Sequence, residues 1–283
     1  MSKAIVGTWI FLVCFATVCA QDQPRMTCAE MEQFLLTAKI GPGRETRKGI
    51  THPLQVMLDD GKFKHEAVVQ SIDERKAQFQ SIQGSELNFR DFWGFNIAGY
   101  ELAKMLELNM VPPYVARKVG GKSSSVSWLV PDVMMDEVER TNKRLEPPDR
   151  DSWNKEMYVL RIFYQLIWNA DINKTNVLIT KDWHVWMIDF TRAFRLHKTL
   201  QAPGDLVQCD RKLLAKLRQL SRDQLEAKLV KAHPQLLTKA ELDALMARRD
   251  KIVEFFDNAV KQKGEAAVLF DLPRSGQPCG ARL

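Results

Sequence analysis

The pattern of apolar and polar positions divides the chain into a strand-rich first half and a helical second half. Short apolar runs bounded by Gly, Pro and Asp predict strands at 54–58, 66–72, 114–119 and 125–130. Apolar residues at helical spacing predict helices at 28–38, 89–107, 153–168, 210–220, 222–231 and 239–262. This order indicates an α+β protein in which a small strand-rich lobe and a larger helical lobe enclose a cleft.

Polar and proline-containing segments give the predicted boundaries between these parts. The segment 136–152 is polar, contains Pro147-Pro148 and is predicted to be a linker loop between the lobes. The strand-rich lobe then covers 21–135 and the helical lobe covers 153–265, with a C-terminal tail at 266–283. Within the first lobe, Gly120-Gly121 predicts a tight hairpin turn, because such turns favour residues that adopt positive φ.

The N-terminus has the sequence pattern of a targeting signal. An apolar run at 4–20 follows Lys3 and ends on Val18-Cys19-Ala20. This pattern predicts a secretory signal peptide over residues 1–20. An uncleaved anchor is the alternative, since 17 apolar residues are at the short limit for spanning a bilayer. Both interpretations place the rest of the chain outside the cytoplasm: secreted, periplasmic or in the lumen of the secretory pathway.

Charge and cysteine content narrow the function classes. The net charge is +6, and it is +5 without residues 1–20, which contain only one charged side chain. A mildly basic, diffuse charge suits an anionic ligand and gives no nucleic-acid-binding stripe. Outside the signal segment, Cys28, Cys209 and Cys279 lack zinc-ligand spacing. An oxidising compartment would allow one disulfide among them, and the sequence does not select the pair.

The candidate chemistry lies near the middle of the helical half. Asn169, Asp171 and Asn176 precede two short predicted strands, 177–179 and 185–188, and the second strand ends on Asp189. A hairpin made of these strands brings Asn176 and Asp189 to the same end. Two oxygen ligands beside a carboxylate base are what magnesium-dependent phosphoryl transfer requires. The alternative is that these residues only cap turns and strand ends.

These residues resemble the protein-kinase-like superfamily, and in particular its atypical branch of HipA-type, phosphatidylinositol 3/4-kinase-like and secretory-pathway kinases. That branch carries N-x-D-x-H-x-x-N followed by a strand and an Asp, and Asn173 stands here in place of the usual His. The resemblance implies a two-lobed protein-kinase-like fold with Mg²⁺ and ATP as cofactors. It implies that Asp171 accepts the proton of an attacking hydroxyl, while Asn176 and Asp189 hold Mg²⁺ against the nucleotide phosphates.

The resemblance also assigns roles in the small lobe. A hinge at 128–132 would contact the adenine, which makes Leu129 and Asp132 nucleotide-binding candidates. The turn at 41–49 would cover the phosphates, or it simply joins two strands. The lysine and glutamate that these kinases pair correspond here to Gln70 and Asn96. Gln70 would face the nucleotide, and the two neutral amides can hydrogen-bond to each other.

Three functions follow from these observations. The first is an exported kinase-like enzyme that transfers phosphate from Mg-ATP to a protein or small-molecule hydroxyl. The second is a catalytically impaired pseudokinase that acts as a nucleotide-binding or protein-interaction module, and the third is an unrelated α+β structural protein. The residues around Asp171 favour the first function. Gln70, Asn96 and the exported location, where ATP is scarce, favour the second.

Overall fold

A computed structural model describes residues 26–45, 53–81, 84–170 and 173–272. The predicted signal peptide (1–20), the predicted base Asp171 and Cys279 lie outside the described residues. None of the helices in the described ranges combines the length and apolar character that crossing a bilayer requires.

The small lobe is built on a five-stranded antiparallel sheet. Its strands are β1 (Lys39–Glu45), β2 (Leu54–Asp59), β3 (Lys64–Gln70), β6 (Tyr114–Val119) and β7 (Lys122–Trp128). Their order in the sheet is β1-β2-β3-β7-β6, with all neighbours antiparallel. The turn between β6 and β7 is Gly120-Gly121, as predicted, and both glycines have positive φ, 56° and 81°. A side chain at either position would be strained.

Two helices pack against this sheet, α1 (Cys28–Thr37) and α2 (Gly94–Met105). A capping box between Thr27 and Glu30 starts α1. Nine of the twelve residues of α2 are buried, including Phe95, so this helix is embedded in the protein rather than lying on its surface. The position of α2 beside the sheet brings its polar residue Asn96 into the interior.

A long antiparallel hairpin, β4 (Asp73–Ser81) paired with β5 (Gly84–Phe92), is inserted between β3 and α2. The predicted helix at 89–107 is therefore wrong in its first part, because residues 84–92 form a strand and α2 begins only at Gly94. Phe89 and Phe92 have helical spacing, which explains the prediction. The residues between them, Arg90 and Asp91, are also buried and form ion pairs inside the protein.

The large lobe contains most of the helices and a small sheet. Its helices are α3 (Glu137–Lys143), α4 (Arg150–Ile167), α5 (Arg211–Gln219), α6 (Arg222–Leu225), α7 (Lys239–Lys263) and α8 (Glu265–Val268). Its strands are β8 (Val133–Asp136), β9 (Val177–Thr180), β10 (Val185–Met187), β11 (Cys209–Asp210) and β12 (Leu269–Phe270). The order β10-β9-β8 makes an antiparallel sheet, and β11 pairs with β12 in parallel.

The segment predicted as a linker loop, 136–152, is largely helical. It contains α3 and the first residues of α4. The Asp136 side chain caps α3 by accepting a hydrogen bond from the Glu139 N–H at 2.8 Å, and Glu137 pairs with Arg140. These local interactions stabilise a helix in a sequence of low hydrophobicity. The start of the predicted tail at 266–283 is also folded, since β12 pairs with β11.

One hydrophobic core runs through both lobes. It includes Phe95 of α2, Phe163 of α4 and Phe190 between the lobes. Of the cysteines, Cys28 is in a disulfide and Cys209 is a buried free thiol. Burial raises the pKa of the Cys209 thiol, so it is not a reactive thiolate at neutral pH.

Candidate active site

A cavity of about 640 Å³ opens between the two lobes. The small lobe contributes Val68, Gln70, Tyr114, Trp128 and Leu129 to its wall, and the large lobe contributes Met135, Asn176, Leu178, Ile188 and Asp189. Apolar side chains from both lobes thus surround a few polar groups, which is the usual composition of a small-molecule site.

The hairpin of β9 and β10 brings Asn176 and Asp189 to one end of this cavity. Met187 pairs with Val177, and the next residue, Ile188, donates its N–H to the carbonyl oxygen of Asn176 at 3.0 Å. Asn176 therefore lies opposite the residue that precedes Asp189. This confirms the predicted hairpin and its placement of the two side chains.

Asp189 is held in a defined orientation. Its backbone has φ 59°, in the left-handed region that non-glycine residues adopt only where the surroundings enforce it. Its Oδ1 accepts hydrogen bonds from Thr191 Oγ1 at 3.1 Å and from Gln70 Nε2 at 3.2 Å. Its N–H points to the Tyr114 hydroxyl at 3.4 Å. Burial, and then the charge of Asp189, raise the pKa of Tyr114, which stays a neutral phenol.

Gln70 and Asn96 form the amide pair that the sequence predicts. Asn96 Nδ2 donates to Gln70 Oε1 at 2.6 Å and to Ser125 Oγ at 3.1 Å. On its other side, Asn96 Oδ1 accepts the N–H of Phe190 at 2.6 Å. Asn96 is fully buried, so a charge there would need a charged partner, whereas the neutral amide is satisfied by these bonds. The network links β3 and α2 to the segment that carries Asp189.

The hinge residue Leu129 lines the cavity, but its backbone groups are engaged within the protein. Its N–H donates to the Glu66 carbonyl at 3.1 Å, and its own carbonyl lies 2.9 Å from His65 Nε2. The His65 ring stacks on Trp128 with 3.7 Å between centroids, and burial lowers its pKa. A bound base would therefore meet Leu129 through apolar contact rather than through its N–H.

Two other parts of the predicted nucleotide site do not line this cavity among the described residues. Asp132 forms a salt bridge with Lys181 at 2.7 Å, is mostly exposed and does not line the cavity, although the neighbouring Val133 does. In the predicted phosphate-covering turn, Gly41 and Gly43 belong to strand β1, while Gly49 falls outside the described residues. Among the described residues, neither Asp132 nor the glycines of this turn line the cavity.

One structural pair at the cavity was missed from the sequence. Arg192 lines the cavity, and its Nε donates to Asp91 Oδ2 at 2.7 Å. Asp91 is almost fully buried at the end of β5. The neighbouring Phe92 N–H donates to the Thr191 carbonyl at 2.9 Å, so two contacts fasten the β4–β5 hairpin to the segment after Asp189. The partners are 101 residues apart, and no local sequence signal indicates such a contact.

The donor set fits magnesium. A carboxylate and a carboxamide, Asp189 and Asn176, line the same cavity. Mg²⁺ is commonly bound through one or two carboxylates, water and substrate phosphates rather than by a cage made only of protein groups. Within the described ranges no cluster of three or more His, Cys, Asp or Glu side chains could hold a metal by itself. A metal held by Asn176 and Asp189 would take further oxygen ligands from water or from nucleotide phosphates.

Comparison with solved structures identifies the architecture. A Fam20 protein from hydra, solved with a sugar, superimposes with a TM-score of 0.59, and the alignment covers 87% of this chain and 93% of that chain. The chain has a two-lobed protein-kinase-like fold. Sequence identity to the hydra protein is 15%, so the likeness concerns the fold alone. CtkA, a proinflammatory kinase from Helicobacter pylori, aligns over 78% of this chain with 9% identity and a TM-score of 0.48.

Comparisons with protein families and with curated proteins give no match. The kinase-like fold is therefore established through three-dimensional similarity, and the resemblance predicted from Asn169, Asn176 and Asp189 is confirmed at that level. In this kinase-like fold, Gln70 of the small lobe donates a hydrogen bond to Asp189 of the large lobe at the inter-lobe cavity.

Proposed function

We propose that this chain is an exported, Mg-ATP-dependent phosphotransferase that acts on a hydroxyl group of a protein or small molecule. The observation that carries the proposal is the shared cavity wall of Asn176, Asp189 and Gln70 between the lobes of a kinase-like fold. Asp171 precedes Asn176 by five positions and is the proposed proton acceptor.

Each residue has a proposed part in the reaction. Asn176 and Asp189 would hold Mg²⁺, which neutralises charge on the nucleotide phosphates. The hydrogen bond from Gln70 keeps the Asp189 carboxylate turned into the cavity. Asp171 would accept the proton of the attacking hydroxyl. Positioning and charge stabilisation supply most of the rate enhancement in this chemistry, so a rigidly held Asp189 supports the proposal.

The proposed acceptor is a hydroxyl compound. The hydra Fam20 structure was solved with a sugar, a molecule rich in hydroxyl groups. The predicted signal peptide at 1–20 would deliver the protein to a compartment outside the cytoplasm, where it would act on an exported or extracellular acceptor.

A second function is favoured by the amide pair. With Gln70 and Asn96 in place of a lysine and a glutamate, strand β3 presents no cation at this position to the nucleotide phosphates. Such a protein would bind nucleotide without transferring phosphate, or would serve as an interaction module. The two functions differ in turnover rather than in fold.

A thermal unfolding experiment tests nucleotide binding. The protein is heated with Mg-ATP, with Mg²⁺ alone, and with ATP and EDTA. A ligand at about 100 times its Kd adds roughly 2.7 kcal/mol to the free energy of unfolding, which moves the midpoint by several degrees. We expect a rise that requires both Mg²⁺ and ATP and that disappears in Asp189→Asn. The matched control, Asp205→Asn, replaces an exposed aspartate and should keep the rise.

Turnover separates the two functions. ADP formation that depends on an added hydroxyl acceptor would support the enzyme. A Mg-ATP-dependent rise in midpoint without any ADP formation would support the pseudokinase. No rise at millimolar Mg-ATP would contradict both nucleotide-dependent proposals and leave the protein-interaction module.

A further inference from the structure

The charge on the wall of the inter-lobe cavity is unfavourable for an anionic ligand. Among the described residues that line it, three acidic side chains and one basic side chain leave a net charge of −2: Asp136, Glu139, Asp189 and Arg192. Mg-ATP is itself an anion, so such a wall repels it unless a cation meets the phosphates. Strand β3 ends on the neutral Gln70 and supplies no cation there. Arg192 is the one cationic side chain in the described wall.

Arg192 lies in the turn that directly follows Asp189. The Ala193 N–H donates to the Phe190 carbonyl at 2.8 Å, which places Thr191 and Arg192 at the centre of a turn. Thr191 Oγ1 donates to Asp189 Oδ1 at 3.1 Å and ties this turn to the carboxylate. Arg192 therefore belongs to the end of the cavity that contains Asp189, where the proposed metal would hold the phosphates, rather than to the apolar hinge.

Contacts with the β4–β5 hairpin hold the Arg192 side chain in place. Its Nε donates to Asp91 Oδ2 at 2.7 Å, and its guanidinium carbon lies 5.6 Å from the ring centroid of Phe89 and 6.0 Å from that of Phe79. The Arg192 carbonyl accepts the Ala170 N–H at 3.2 Å, which fixes the backbone. An arginine that is already oriented loses little conformational freedom when it binds a phosphate.

The two members of the Arg192–Asp91 pair differ in their access to the cavity. The Arg192 side chain is 26% exposed and lines the cavity, whereas the Asp91 side chain is 1% exposed and does not line it. A ligand in the cavity therefore meets the guanidinium and not the carboxylate. A guanidinium has five N–H donors in a planar fork, so it can bind two oxyanionic groups at once. The pairing with Asp91 is thus compatible with binding of a phosphate.

We propose that Arg192 binds the nucleotide phosphates in the inter-lobe cavity and supplies the positive charge that strand β3 lacks at Gln70. This inference rests on nucleotide binding by that cavity, which the proposed phosphotransferase and the pseudokinase share. The cation comes from the large lobe, and the turn that carries it adjoins Asp189, so neighbouring residues hold the metal and the phosphates. The preferred ligand is a nucleoside di- or triphosphate rather than a nucleoside.

Removal of the charge is the first test. Arg192→Gln leaves a polar side chain without a charge, and calorimetry measures the Kd for Mg-ATP and for adenosine at the same Mg²⁺ concentration. We expect the Kd for Mg-ATP to rise roughly tenfold or more, the value of one charge-assisted hydrogen bond, and the Kd for adenosine to stay within about twofold. An unchanged Kd for Mg-ATP in the folded variant would overturn the proposal. An equal rise for both ligands would also overturn it, because it would show a general disturbance of the cavity.

Lys181→Gln is the matched control. Lys181 also pairs with an aspartate, Asp132, at 2.7 Å, and it does not line the cavity. The site is near the cavity because Asp132 directly precedes the lining residue Val133. This variant removes one paired positive charge and should leave the Kd for Mg-ATP within about twofold. A rise as large as in Arg192→Gln would indicate nonspecific charge attraction and contradict the assignment.

Asp91→Asn separates phosphate binding from a purely structural role. It breaks the ion pair and keeps the charge of Arg192. If Arg192 only fastened the hairpin to the turn, Asp91→Asn and Arg192→Gln would weaken Mg-ATP binding equally, and that result would overturn the proposal. We expect the Kd in Asp91→Asn to stay within about threefold of the parent value or to fall. Arg192→Lys keeps the charge without the fork and provides a second comparison, with an expected Kd well below that of Arg192→Gln.

Mg-ATP binding by the parent protein distinguishes this inference from the proposed function. A parent that binds Mg-ATP, together with an Arg192→Gln variant that binds it equally well, would contradict the role of Arg192 alone. A parent that binds no Mg-ATP would contradict both nucleotide-dependent functions and this inference with them. Urea unfolding of each variant checks that the cooperative transition of the parent is retained.

Discussion

Gln70 and Asp189 touch across the cleft, with 3.2 Å between the Gln70 amide nitrogen and a carboxylate oxygen of Asp189. The contact joins the last residue of β3 in the small lobe to the residue that follows Ile188 in the large lobe. Asn96 stabilises this contact, because its side chain hydrogen-bonds both to Gln70 and to the backbone N–H of Phe190. The amide side chains of Gln70 and Asn96 therefore connect the small lobe to the segment 189–190.

Replacing Gln70 with lysine should strengthen nucleotide binding. A lysine there would offer its charge to Asp189 and to the nucleotide phosphates, and Asn96→Glu in the same protein would supply a carboxylate to pair with it. We expect the Kd for Mg-ATP to fall roughly tenfold in the double variant, the value of one charge-assisted contact. Calorimetry on variants with an intact cooperative unfolding transition measures it. An unchanged Kd would mean that Gln70 does not face the phosphates.

Gln70→Leu is the matched control for that experiment. It removes the hydrogen bonds to Asp189 and Asn96 without adding a charge. Removing one of the two acceptors of the buried Asn96 amide nitrogen should lower the free energy of unfolding by about 1–3 kcal/mol. Urea unfolding measures this loss. A variant as stable as the parent would show that the amide network contributes little to joining the lobes.

Asp171→Asn tests the proposed base. The amide cannot accept the hydroxyl proton, so phosphate transfer should fall by about two to four orders of magnitude. The free energy of unfolding should stay the same, because the substitution preserves size. Transfer of labelled γ-phosphate measures the rate, and Asp205→Asn is the control for removing an exposed carboxylate. An undiminished rate would remove Asp171 from the mechanism.

Gly99→Ala should disturb the active site from within helix α2. A methyl group at this position would lie 2.7 Å from Phe190 Cδ2, and Phe190 is fully buried beside Asp189. Overpacking of this kind costs about 1–3 kcal/mol in free energy of unfolding and should weaken Mg-ATP binding by shifting Asp189. Gly204→Ala is the control, since a methyl there meets no atom within 4 Å. Equal stability in both variants would show that Phe190 can move without cost.

His184 should make stability depend on pH above the ordinary histidine pKa of about 6.5. Its ring nitrogens lie 2.9 Å from Glu156 Oε1 and 2.6 Å from the Asn109 carbonyl, an arrangement that the doubly protonated ring satisfies best. Burial alone would lower the pKa of His184, but the hydrogen bond and charge of Glu156 outweigh it and the pKa is raised. The stabilisation is therefore complete below the unfolded pKa of about 6.5 and is lost as pH rises through the higher folded pKa.

Urea unfolding at a series of pH values from about 6 upward measures this loss. The free energy of unfolding should begin to decline above the ordinary histidine pKa of about 6.5. His184→Gln should be less stable than the parent at the acidic end and should lack the decline attributed to His184. Glu156→Gln removes the carboxylate that raises the pKa and should remove the same part of the decline. A decline that persists unchanged in both variants would assign it to other groups.

Much of the fold could be predicted because its signals are local. The predicted strand at 114–119 coincides with β6, and the helix predicted at 239–262 differs from α7 by one residue. The two glycines between β6 and β7 fix that hairpin, and the Thr238 capping box fixes the start of α7. Asn176 and Asp189 could be paired for the same reason, since a short two-stranded hairpin leaves few registers.

The β4–β5 hairpin could not be predicted in this way. Strand β4 is polar, and the last four residues of β5 are all buried, so neither strand alternates between apolar and polar positions. Its stability depends on contacts such as Arg90 with Glu241, which are 151 residues apart in the sequence. Helix α3 is a different case. Asp136 followed three residues later by Glu139 is a helix-start signal that could have identified it.

The amide link between the lobes also has a consequence for the conditions under which the protein works. An exposed or partly exposed lysine–carboxylate contact weakens as dissolved salt screens its charges. The bond from the Phe190 backbone N–H to the Asn96 amide oxygen is a contact between two neutral groups in the interior, so ionic strength has little effect on it. The strength of this contact between the lobes should therefore be the same at high and at low salt concentration.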